Sequence, residues 1–182
     1  MRLAVVLCLL LLLPGLSGCT GSEPRMIVDE VKAAMADAKM PAAEILHMEP
    51  LRDGLHIFYR DEGGYVNAGF VRLSGDDWRW VIGDGGVEAE TDADAGLSWM
   101  ASNNRDIPAN YTYGALYDPN IATVRIRKPD GSIDQTAKIV ATPEGTRLWL
   151  AYHDIPIHAP IEIYGLSADG TTIYPKVPYD RP

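Results

Sequence analysis

His47, Glu49 and His56 are the residues best suited by type and spacing to hold a metal ion. Imidazole nitrogen and carboxylate oxygen are both zinc ligands. His47 and Glu49 lie two residues apart, so on a strand they share a face. The Asp53-Gly54 pair ahead of His56 is a hairpin signal. With those two residues as the loop, Leu51 opposes His56, Glu49 opposes Phe58, and His56 falls on the face of His47 and Glu49. The same register sets His47 opposite Arg60, whose charge repels a cation, and puts His47 and His56 on a long diagonal. The three therefore read as ordinary strand-face residues, and no metal or other cofactor is expected.

The remaining candidates are weaker. His153 and His158 flank Asp154-Ile155-Pro156-Ile157 and could meet around a tight loop, but a five-residue separation across a proline is no recognised ligand spacing. Asp92 and Asp94 alternate as the first acids of an EF-hand loop do, yet Gly96 arrives where the next ligand should stand, so the stretch reads as a solvated loop. Trp78 and Trp80 alternate with Arg79 and Val81 and so share one sheet face. Exposed there, they would stack on the sugar rings of a wall polymer; a place in the core or its rim is the ordinary alternative. Nucleophile elbow, zinc-protease helix and phosphate-cradling loop are all missing from the chain. A non-enzymatic protein is expected.

Cys19 carries different chemistry. Arg2 is followed by an unbroken apolar run, Leu3 to Leu13, and then by Pro14-Gly15. A positive start, an apolar stretch and small residues at a cleavage point describe a secretory signal. Eleven apolar residues are too few for a permanent span, which needs about 20. Leu16-Ser17-Gly18-Cys19 then resembles the bacterial lipobox. That resemblance implies cleavage before Cys19 and a diacylglycerol on its sulfur, with residues 1–18 as the signal peptide and 19–25 as anchor and tether. Two acyl chains matter, because one alone gives only marginal, reversible membrane binding. Thr20 to Pro24 spans at most ~17 Å, which would keep the folded part close to the bilayer. Cys8 goes with the leader and Cys19 is the acceptor, so no thiol remains for a disulfide or a metal.

Charge narrows the partners. Residues 19–100 hold 16 acids and 7 bases, residues 101–182 hold 9 and 8, and the whole chain has net charge −9. Nucleic-acid binding requires a basic footprint, and none is present. An acidic body gains nothing from anionic headgroups, which leaves the lipid as the membrane contact.

These residues must be positioned by a mostly β chain. Ile27, Val31, Ala34, Met35 and Ala38 recur at helical spacing after Pro24, and Pro41 ends the helix. Strands over 44–49, 55–60, 65–73 and 78–83 follow, separated by short Gly- and Asp-rich turns. They predict a helix plus a four-stranded antiparallel meander over 26–83. Residues 84–110 are acidic and Gly/Ala-rich and read as a linker or loop, with a short turn of structure near 97–100. Strands over 121–127, 137–141, 147–152, 161–166 and 171–174 predict a sandwich-like β domain over 111–182. The class is α+β.

The order of local patterns resembles a group of small uncharacterised lipoproteins of Gram-positive bacilli. It rests on Ile45-Leu46-His47 before Asp53-Gly54, Asn67-Ala68-Gly69-Phe70-Val71, and Trp78-Arg79-Trp80-Val81-Ile82-Gly83. In the second half it rests on Tyr113 to Ile121 and on Arg147-Leu148-Trp149. The resemblance implies a Gram-positive host and a location outside the cytoplasmic membrane, and carries no activity. The expectation is a lipid-anchored envelope protein on the extracytoplasmic face, acting as an interaction or accessory module. The alternative is a binder of wall glycan or peptide; a metal-dependent enzyme built on His47, Glu49 and His56 ranks last.

Overall fold

Helix α1 spans Ile27–Asp37 in the computed structural model, which describes residues 26–40, 42–88 and 96–176. Val31, Ala34 and Met35 form its buried stripe, at the spacing that puts residues on one helical face. Asp29 and Glu30 occupy the first turn, where the helix dipole favours negative charge. The helix stops well before Pro41. Lys39 enters the left-handed region at φ 57°. Its N–H donates to the carbonyl of Ala36 at 2.9 Å, and that of Met40 donates to the carbonyl of Met35 at 2.9 Å. Those two bonds are a Schellman motif, with Lys39 where glycine is usual. Met35 and Met40 then pack in the same cluster, so tertiary burial holds the cap.

Strands β1 (Ala42–Leu51), β2 (Gly54–Asp61), β3 (Tyr65–Ser74) and β4 (Asp77–Glu88) form the first sheet, an antiparallel meander in that order. Its first hairpin differs from the expected register. The turn is Arg52-Asp53, with Asp53 at φ 68°, and Gly54 pairs with Leu51. Gly54 serves a close approach instead of a turn: a Cβ there would overlap the Val71 carbonyl and stand 2.6 Å from the Phe70 ring. From Leu51 to His47 the pairing is thus displaced by two residues, which keeps faces but changes partners; a bulge between Ile45 and His47 then turns Ile45 to the helix side beside Tyr59. β4 also continues through Glu88, five residues past the expected end, because Tyr65 and Val66 of β3 pair with Glu88 and Val87.

Eight further strands follow: β5 (Met100–Ser102), β6 (Asn110–Leu116), β7 (Thr123–Arg127), β8 (Asp134–Thr136), β9 (Lys138–Ala141), β10 (Arg147–His153), β11 (Glu162–Leu166) and β12 (Thr172–Lys176). They make two more antiparallel four-stranded sheets, in the orders β5-β6-β10-β9 and β12-β11-β7-β8. Among the described residues the protein is therefore mostly β, with one short helix and three sheets.

Three buried clusters place the layers. α1 packs on one face of the first sheet through Val31, Met35, Ile57, Tyr59 and Val71. The other face of that sheet shares a cluster with the second, Phe58, Val66 and Phe70 meeting Tyr111, Tyr113 and Leu150. The second sheet meets the third through Trp149, Leu116, Val124, Ile126 and Ile163. Residues 96–110 contribute to both inter-sheet clusters: Leu97 is buried in one and Ile107 in the other.

Candidate functional site

Two half-buried indoles stand where α1 meets the outer strand of the first sheet. Trp78 and Trp80 lie on the helix-facing side of β4 and pack against the α1 cluster. A bulge makes this possible. Phe70 pairs with Ile82 while Val71 pairs with Trp80, which leaves Val81 as the extra residue. Val81 and Ile82 can then both pack toward the second sheet, as they do. Trp80 lies close over the backbone of β3 at Gly69, where an added Cβ would overlap its ring and lie 2.6 Å from Cζ2. Tyr59 meets it edge to face with ring centroids 5.9 Å apart.

The two indoles line an open cleft of about 540 Å³, within the range of small-molecule sites. Helix α1 supplies Glu30, Ala33, Ala34, Asp37 and Ala38 to one wall. The β3–β4 turn and the start of β4 supply Asp76, Asp77 and Arg79 beside the tryptophans. Asp37, Asp76 and Asp77 are exposed and Glu30 is half-buried. No side-chain hydrogen bond or ion pair ties any of these four carboxylates to another described residue. The small alanines keep the helix wall low, so the indole faces stay reachable. The lining is consequently rich in acceptors and aromatic faces and poor in donors.

No family model, curated protein or solved structure matches the chain. The reading of the site rests on its own geometry.

The expected metal trio is placed differently. His47, Glu49 and His56 do face the second sheet together, but Glu49 is the cross-strand partner of His56, and His47 that of Phe58. Arg60 pairs with Glu44 instead of His47, and their side chains form an ion pair at 2.8 Å. Glu49 Oε2 contacts His47 Nε2 at 2.7 Å and accepts from Lys138 Nζ at 2.6 Å. Burial raises the Glu49 carboxyl pKa, but the hydrogen bonds from Lys138 and His47 outweigh that and leave it lowered. A lysine ammonium thus occupies the position a cation would take. His56 points away from that group into the seam between the sheets, fully buried, with Nδ1 2.8 Å from the Tyr152 hydroxyl. Among the described residues no three His, Cys, Asp or Glu side chains are grouped to hold a metal.

The seam around His56 is aromatic and bridged by polar bonds. Tyr111 meets the imidazole edge to face at 4.2 Å, and Phe58 lies 4.5 Å away. The Tyr111 hydroxyl donates to Asp84, and that of Tyr113 to the carbonyl of Gly85, so two phenols of the second sheet grip β4. Asn104 Nδ2 also reaches Asp84, at 3.3 Å. Burial raises the pKa of all three tyrosines, Tyr111, Tyr113 and Tyr152, and keeps them protonated as donors. The linear chain carries no signal of this group, because its members come from β2, β4, β6 and β10.

His153 and His158 are not brought together. His153 is buried with Nε2 3.1 Å from Thr112 Oγ1, and burial lowers its pKa, while His158 is exposed. Asp92, Asp94 and Cys19 lie outside the described residues. No helix among those described is long and apolar enough to cross a membrane.

Proposed function

We propose that this chain is a lipid-anchored cell-envelope protein, held through Cys19 on the extracytoplasmic face of the membrane. It works as a non-enzymatic binding module whose ligand is a saccharide of a wall polymer. The observation that carries the reading is the pair Trp78 and Trp80, partly exposed on one strand face and lining a cleft of about 540 Å³. Side chains two apart on a strand are roughly 7 Å apart, so the two rings offer stacking surfaces to neighbouring sugars. The opposite wall offers carboxylate oxygens to ring hydroxyls. Sheets two and three share a buried inner face and form the sandwich-like half that backs this unit.

The test is a titration with wall-derived oligosaccharides, followed by tryptophan emission and calorimetry. Saturable binding that Trp78→Ala weakens about two- to tenfold is expected, since stacking on an aromatic ring is worth about 0.5–1.5 kcal/mol. Absence of binding to any wall saccharide, or binding indifferent to Trp78→Ala in a variant that melts normally, would refute the cleft. The anchor is tested separately by mass spectrometry of the native N-terminus. A lipid-modified Cys19 is expected, and an unmodified residue 19 or a different start overturns it.

A further inference from the structure

We propose that the saccharide taken by the α1–β4 cleft is cationic, carrying free amino groups in place of acetylated ones. This rests on the cleft being a saccharide site and adds the chemistry of the ligand. Charge complementarity is the first argument. The lining holds four acidic residues, Glu30, Asp37, Asp76 and Asp77, and one basic residue, Arg79. A concave surface lined by one sign of charge focuses its field on the occupant.

The second argument is what these acids leave undone. Several carboxylates elsewhere are committed: Glu44 to Arg60, Glu49 to His47 and Lys138, Asp134 to Arg125. Asp61 receives the Asn67 amide, and Asp84 the Tyr111 hydroxyl. The four cleft carboxylates have no such partner among the described residues. Their neighbours are instead two indoles, whose faces attract cations as well as the apolar faces of sugar rings.

The third argument concerns donors and acceptors. Carboxylates only accept, and the side-chain donors here are Arg79 and the indole N–H groups. A peptide backbone brings as many acceptors as donors, and its carbonyls would go unmatched. A sugar bearing hydroxyl and ammonium groups is donor-rich and matches the lining. An acetylated amine exchanges a charged donor for a neutral amide with a carbonyl acceptor, which the cleft disfavours.

The experiment titrates the purified full-length protein with a glucosamine tetramer and with the N-acetylglucosamine tetramer, at about pH 6 so that the amines are charged and carboxylates ionised. The free-amine oligomer should bind about tenfold more tightly at low ionic strength, and high salt should remove that advantage. Asp76→Asn/Asp77→Asn should abolish the preference by weakening the free-amine tetramer more than the acetylated one. Glu62→Gln/Asp106→Asn, which removes the same charge from exposed positions outside the cleft, should leave the preference intact. Equal or tighter binding of the acetylated tetramer overturns the cationic ligand but leaves the saccharide cleft standing. Failure of both tetramers, and of other wall saccharides, removes both readings. A preference reduced equally by the two double variants means general attraction to an acidic protein and overturns the inference.

Discussion

The Nδ1 of His56 lies 2.8 Å from the hydroxyl of Tyr152, across the seam between the first and second sheets and 96 residues away in sequence. Its other nitrogen, Nε2, is buried with no hydrogen-bond partner. A charged imidazolium there would have to bury a positive charge with one nitrogen unpaired. Burial therefore pushes its pKa down to about 4; Asp84 and Glu49 pull it back up, and His47 opposes them. An unfolded histidine titrates near 6.5. Between those values the unfolded chain binds the proton that the folded chain refuses, so acid favours unfolding. The contribution is complete above about pH 6.5 and declines as pH falls toward 4, amounting to about 3 kcal/mol at full extent. His153, also lowered by burial, acts in the same direction. Urea denaturation at about pH 7 and about pH 5 should show the loss, and His56→Phe should remove most of the slope. A stability unchanged over that interval would sink the assignment of His56 as a buried neutral ring.

Tyr152→Phe tests the same contact at constant pH. It leaves both nitrogens of His56 without a partner and should destabilise by about 1–3 kcal/mol, the usual cost of orphaning a buried polar group. Replacing both members, His56→Leu with Tyr152→Phe, removes the polar atoms together and should recover much of that loss. A double-mutant cycle by chemical denaturation reads the coupling. Strictly additive losses would mean the bond contributes nothing to the seam.

How much of this was legible in the chain depends on periodicity. The meander could be read because short turns separate its strands, but its register could not, because the first turn is Arg52-Asp53 and a bulge follows at Ile45. The helix could be read from Ile27, Val31 and Met35, but its end could not, since no residue type announces a Schellman turn at Lys39. β6 escaped because Tyr111 through Leu116 are all buried. A strand covered on both faces has no polar alternation to detect. The same holds for Leu55 to Tyr59 of β2, where His56 looked like a surface ligand and is a core residue. In the cleft the tryptophans could be named from alternation alone. Glu30 and Asp37 could not be joined to them, because only the packing of α1 on β4 brings those acids across.

Lys39→Gly should stabilise the protein. Lys39 is exposed and holds φ 57° at the helix cap. A side chain in the left-handed region costs roughly 1 kcal/mol that glycine avoids, partly offset by glycine's greater freedom when unfolded. A gain of about 0.5–1 kcal/mol in chemical denaturation is expected. A neutral or destabilising result would show that Lys39 stabilises the native state by some other contact and that the cap is not strained.

Gly69→Ala should disable the cleft from inside the sheet. The added methyl would overlap the six-membered ring of Trp80, which rests on this backbone, and would also lie 3.0 Å from the Ile82 carbonyl. The indole must then tilt out of its seat against Tyr59. Overpacking of this kind typically costs about 1–3 kcal/mol, and the near-ultraviolet dichroism of the tryptophans should change with it. Saccharide binding should fall about two- to tenfold even where the fold persists, because the two stacking faces lose their alignment. Gly69→Ala combined with Trp80→Phe relieves the overlap and should restore stability without restoring binding. Were the double variant to bind as well as the parent, Trp80 would be a packing residue alone, and the stacking surface would reduce to Trp78.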